Sequence, residues 1–127
     1  MAIYNTYHTV LTVIGTKEDV QSFKDTHLDE KNNIKLEVAA PLEGRDPVEA
    51  WGAPSCTTEH FEEEEETCIN VCVGSRGCID RWFEKFSADN PQLETHLNYV
   101  CQLINEKGTL IYKDGAKVLE ILTSNEE

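Results

Sequence analysis

Residues 59–78 read EHFEEEEETCINVCVGSRGC, and the fold turns on whether Cys68–Gly74, CINVCVG, is extended. Ile69, Val71 and Val73 alternate with Cys68, Asn70 and Cys72. A period of two with β-branched residues on one side predicts a strand with one buried and one mixed face. The same geometry decides what its thiols can do. At a rise of ~3.3 Å per residue, the Cα atoms of Cys68 and Cys72 stand roughly 13 Å apart, too far to share an ion that binds sulfur at ~2.3 Å. Cys56, His60 and Cys78 add ligand atom types nearby, but not as the short C-x(2–4)-C pairs on tight turns that structural zinc uses. We expect no metal and no cofactor. Five cysteines, an odd number, read as thiols packed on or near a sheet in a reducing compartment.

Outward from this strand, Pro41–Ser55, PLEGRDPVEAWGAPS, is broken by prolines and glycines. With the glutamates that follow, it reads as a long acidic loop over about residues 42–67. Near the start, YHTVLTVIG (7–15) predicts a strand with Thr9, Leu11 and Val13 on one side and His8, Val10, Thr12 and Ile14 on the other. Thr16 stands at an N-cap, Glu18 and Asp19 in a first turn, and Val20, Phe23, His27 and Leu28 at helical spacing, which predicts a helix over Lys17–Leu28. NNIKLEVAAP (32–41) alternates as a half-exposed strand ended by Pro41.

After the glycine turn at 74–77, Ile79, Trp82, Phe83 and Phe86 form an apolar helical stripe that Ser87–Pro91 interrupts. Leu93–Ile104 alternates as a strand, and Glu106–Gly108 turns into GTLIYKDG to make a hairpin. AKVLEILTSNEE (116–127) fits a short strand or a helix with a frayed acidic tail. The order β, α, β, loop, β, α, β, β predicts an α+β, ferredoxin-like split-βαβ sandwich. It has one mainly antiparallel sheet, two helices on one face and an added C-terminal hairpin, in a single domain over residues 1–127.

Acids outnumber Lys plus Arg by 24 to 11, for a net charge of −13. Such a field repels phosphate backbones and anionic lipid, so direct nucleic-acid or membrane binding is not expected. Nine of the acids fall within residues 43–66, where Arg45 is the sole cation. No apolar run reaches the ~18 residues of a membrane span. The start MAIYNTYHTV lacks signal-peptide character, and the expected location is the cytoplasm.

Enzyme signatures are missing: no GxxxxGK[ST], no GxSxG elbow, no HExxH. Cys78, beside Arg76 and ahead of a helix, is the one thiol placed for activation, with no histidine next to it in sequence. His8, His96, Cys72 and Asn98 would share the sheet's exposed side. The run Glu62, Glu63, Glu64, Glu65 and Glu66 is either a solvated segment or a row of carboxylates that occupies an Arg-rich or DNA-binding surface of another protein.

Several fragments together carry a family resemblance: HTVLTVIGTKEDVQSFKD, AAPLE, WGAPS, INVCVGSRGCIDRWFEKFSADNPQL and YVCQLINEKGTLIYKDG. The chain resembles the small ferredoxin-like domain of uncharacterised phage- and plasmid-borne proteins related to the YubB family, over nearly its whole length. Trp51-Gly52 matches the first half of that family's Trp-Gly-Thr-Lys-Trp stretch, but Ala53-Pro54-Ser55 replaces the rest. Val73-Gly74-Ser75 stands in place of Thr-Ala-Trp. The resemblance implies a fold and a mobile-element origin, and brings no activity with it.

The reading is a non-enzymatic, phage-type accessory protein of the bacterial cytoplasm. It binds a host or phage protein through the acidic loop or the open sheet face, with Glu62–Glu66, Trp51, His96 and Asn98 as candidate contacts. The alternatives are a thiol- or metal-dependent enzyme or sensor using Cys72, Cys78, His60 or His96, an acidic nucleic-acid mimic, and a homo-oligomer assembled through the sheet face.

Overall fold

Six strands form one open sheet in the computed structural model, which describes residues 6–124. They are β1 (Tyr7–Ile14), β2 (Cys56–Glu65), β3 (Cys68–Ser75), β4 (Glu94–Cys101), β5 (Glu106–Lys113) and β6 (Ala116–Ser124). Their spatial order is β2-β3-β1-β4-β5-β6, antiparallel at every step. Four helices accompany it: α1 (Lys17–His27), α2 (Leu36–Ala39), α3 (Pro47–Trp51) and α4 (Asp80–Asp89). The chain is therefore α+β, with each helix contributing to a core on one side of the sheet.

CINVCVG is extended. In β3, Ile69, Val71 and Val73 are fully buried while Cys68, Asn70 and Cys72 are half-exposed on the other face. β1 alternates in the same sense, with Leu11 and Val13 fully buried and His8 exposed. Thr16 caps α1 by accepting the Asp19 backbone N–H at 3.1 Å, and Val20, Phe23 and His27 point inward. The stripe of α4 is the centre of the core. Trp82 stacks on Phe86 at 5.0 Å between centroids, and Phe86 meets Phe23 edge-on at 5.4 Å. Side chains this large stabilise by roughly 1.5–3 kcal/mol each when fully buried. A buried hydrogen bond of 2.7 Å between the Ser87 and Thr95 hydroxyls ties α4 to β4.

Three expectations are corrected. The alternation in NNIKLEVAAP does not make a strand: Ile34 forms only an isolated bridge with Leu28, and Leu36–Ala39 is the short helix α2. The sheet edge it would have joined belongs to β2, and the segment touches β2 through polar groups instead. Asn33 Oδ1 accepts the Thr58 N–H at 2.9 Å, and the Thr58 hydroxyl donates to the Asn32 carbonyl at 2.7 Å.

Nor is 42–67 a loop. Asp46 caps α3 by accepting the Val48 N–H, with Pro47 at the first helical position where its missing N–H costs nothing. The glutamates run along β2, because ladder pairing with β3 overrides their low strand propensity. The hairpin turn is displaced as well. β4 ends at Cys101, a 3-10 turn spans Gln102–Ile104 with Asn105 left-handed, and Glu106–Gly108 already belong to β5.

The C-terminal segment resolves as strand β6, joined to β5 by Asp114-Gly115, both at positive φ as a type I′ hairpin demands. The expected acidic tail, Asn125–Glu127, and the first five residues lie outside the described residues.

Candidate functional site

Among the described residues, no helix covers the face of the sheet formed by His8, Val10 and Thr12 of β1. Register fixes its neighbours: Val10 lies between Cys72 and Asn98, His8 between Gly74 and Val100, and Thr12 between Asn70 and His96. Thr109 and Ile111 of β5 continue the surface beyond Asn98 and His96, and Ile121 and Leu119 of β6 continue it further. A concavity of about 480 Å3 opens here, with Val10, Val100 and Ile121 as its apolar part and His8, Cys72, Asn98 and Lys107 among its polar groups. Asn98 is held by the Thr109 hydroxyl, which donates to its Oδ1 at 2.7 Å.

One flank is shaped by a bulge. The β2–β3 register shifts between Thr58 and His60, which re-aims Glu59. Its carboxylate lies over Gly74, where an added Cβ would come within 2.7 Å of Oε2, and reaches His8 Nδ1 at 3.2 Å. Sequence reasoning missed Glu59 as part of the site, and a glycine inside an otherwise β-branched strand is the signal that could have found it.

The candidate residues do not gather at one place. His8, Cys72 and Asn98 meet in the concavity. His96 shares the face but sits apart, paired with Glu94 at 2.6 Å; that hydrogen bond, with Lys113 nearby, holds the Glu94 carboxyl below its usual range. Trp51, proposed as a contact, is a core residue: it is buried, and its indole N–H donates to the Ala40 carbonyl at 2.8 Å.

The glutamates do not form a single row either. Glu62 pairs with Asn70 in the ladder and Glu64 accepts from the Asn70 amide at 2.8 Å, which puts them toward the open face. Glu63 turns to the helical side and binds Lys24 at 2.7 Å, while Glu66 lies 3.6 Å from Lys17 and Glu65 accepts from Thr67. The open face thus has an acidic flank at Glu59, Glu62 and Glu64 and an apolar flank toward β6.

Burial disfavours the thiolate at Cys56, Cys68, Cys72 and Cys78. Burial pushes Cys78 up to about 12, and the neighbouring Asp80 carboxylate adds to the effect, the opposite of what a nucleophile needs. Burial alone raises Cys56 to about 11. Cys72, inside the concavity, is raised by burial and then by Glu62 and Glu59. Among the described residues, no three Cys, His, Asp or Glu side chains converge as a metal ion requires, and no helix is long and apolar enough to cross a membrane. No family model matches the chain, and neither a curated protein nor a solved structure is found to match it.

Proposed function

We propose that the protein is a non-enzymatic binding module whose open sheet face receives a segment of a partner protein. The observation that carries this reading is the uncovered concavity, with Val10, Val100 and Ile121 as its apolar part and the Glu59 carboxylate, beside His8, on its β2 side. A partner that fits presents apolar side chains to Val10, Val100 and Ile121 and one or two Arg or Lys side chains to Glu59, Glu62 and Glu64. Carboxylates of this kind steer a basic partner and fix its register more than they add affinity. The raised thiols favour binding over covalent chemistry.

The connectivity β1-α1-β2-β3-α4-β4, with β3 and β1 between β2 and β4, supports a ferredoxin-like frame extended by β5 and β6. The mobile-element origin that the resemblance implies, together with the acidic charge and the missing enzyme signatures, favours an accessory role of phage or plasmid type, with a host or phage protein as partner in the bacterial cytoplasm.

The test compares wild type with Val100→Glu and with Glu62→Gln/Glu64→Gln as bait in bacterial lysate, followed by titration of whatever is captured. Val100→Glu is expected to weaken binding at least tenfold, by placing a charge in the apolar part. The Gln pair is expected to weaken it several-fold and to flatten its decline with salt. Equal capture by all three proteins, or capture by none, would defeat the proposal.

A further inference from the structure

The two edges of the sheet differ in charge and in regularity. β2 carries the glutamates and two register shifts, at Thr58/His60 and Glu63/Glu65, devices that keep a further strand from pairing. β6 has no glutamate run and a single register shift. Over Ala116–Ser124, AKVLEILTS, it holds one lysine and one glutamate, which neutralise each other across 2.7 Å. It contains no proline or glycine, and beyond it no strand lies among the described residues. Val118 is 55% exposed, Ile121 53% and Leu122 58%, on a strand whose outer N–H and C=O groups have no ladder partner. An edge of this length and composition is a template for another strand.

We infer that the strand is supplied by a second copy of this chain, β6 pairing antiparallel with β6 about a two-fold axis perpendicular to the sheet. Charge selects the place at which two copies can meet. Two copies that each carry −13 repel wherever their carboxylates meet, and β6 is a neutral segment at the edge farthest from β2. At ~4.8 Å between strands, joining the copies at β6 leaves their two glutamate edges roughly 50 Å apart, several times the ~8 Å screening length at physiological salt.

Symmetry suits the side chains as well. A two-fold of this kind sets residues of one face opposite residues of the same face. Leu119 and Ile121 continue the open face opposite Ile111 and Thr109; a register centred on Ile121 sets Ile121 against its own copy and Leu119 opposite Thr123, and one centred on Leu119 sets Leu119 against its own copy and Ile121 opposite Lys117. Registers centred on Leu119 or on Ile121 keep Glu120 from facing its copy.

The pairing also reaches the concavity. Ile121 and Thr123 line it from the outermost strand of the chain, so a second β6 would stand directly beside it. The dimer would carry two such concavities on one continuous twelve-strand surface, twice the six strands of the single chain.

Sedimentation and light scattering of the full chain test this, at protein concentrations up to about 100 μM and at about 0.05 and 0.5 M salt. Wild type is expected to dimerise, and more tightly at high salt, because screening relieves the repulsion between acidic copies. Leu119→Lys/Ile121→Lys is expected to weaken association at least tenfold, and to melt like wild type at dilutions where both are monomeric, since both side chains are already solvent-accessible. Backbone amides of β6 should exchange more slowly as protein concentration rises, with Cys72 alkylated at an unchanged rate. A wild type that stays monomeric throughout, or a Lys variant that dimerises as well as wild type, would overturn the inference. So would a dimer that shields Cys72 while the β6 amides exchange freely, since it would be joined face to face.

Discussion

His27 ends α1 against the aromatic core, its ring stacked on Phe23 at 5.4 Å and meeting Phe86 edge-on at 5.0 Å. Its Nδ1 is buried and has no hydrogen-bond partner among the described residues. Burial, reinforced by the charge of Lys35, lowers its pKa from the ordinary 6.5. The unfolded chain therefore takes up this proton before the folded chain does. The stabilisation from a neutral His27 is complete above pH 6.5 and is lost as pH falls from there toward the lowered folded value. Between neutral and mildly acidic pH, wild type is expected to lose on the order of 3 °C of melting temperature that His27→Leu does not lose. Calorimetry of both proteins over the same buffers checks this, and parallel pH profiles would show that the imidazole is not responsible.

At the scale of elements, the junction of α3 with α4 rests on Gly52. This residue ends α3 at φ +92°, and a Cβ placed there would run into the Cys78 carbonyl and approach Asp80 Oδ1 at 2.7 Å. Gly44 also has positive φ, +84°, but nothing lies within 4 Å of its Cβ position. The pair separates backbone strain from collision. Gly44→Ala is expected to cost about 1 kcal/mol, the ordinary penalty of a left-handed alanine, and Gly52→Ala about 2–3 kcal/mol, because backbone must also move. Urea denaturation of the two variants measures the difference, and equal losses would mean the contact is easily relieved.

The same junction shows what the chain discloses locally. Periods of two or 3.6 over buried residues identified β1, β3, α1 and α4, whose patterns follow from the faces they bury. The mixed face with His8, Cys72 and Asn98 was legible for the same reason. β2 was hidden because its strand state comes from pairing with β3 and not from its glutamates, and α2 because four residues are too few to show a helical period, with Leu36 alone buried and Val38 exposed. Glu59 joined the site through a bulge, a register event that no side-chain period reports.

For the molecule as a whole, the dominant electrostatic fact is a net charge of −13 with its acidic concentration on one sheet edge. The ion pairs seen there, Lys24 with Glu63 and Lys17 with Glu66, are solvent-accessible and contribute only about 0–1 kcal/mol each. Salt weakens those pairs, but it also screens the repulsion among the many carboxylates that have no cation beside them. With more than two acids for every base, repulsion is the larger quantity. Raising salt from about 0.02 to 0.5 M, across which the screening length falls several-fold, is therefore expected to raise the melting temperature by about 3–6 °C. The measurement belongs on Leu119→Lys/Ile121→Lys, so that salt-driven association plays no part. Adding Glu62→Gln and Glu64→Gln should raise the low-salt melting point and shrink the salt increment together, because both changes remove the same repulsion. A melting temperature that falls with salt would mean the local pairs outweigh the field, and the acidic edge would then be a stabilising network instead of a tolerated strain.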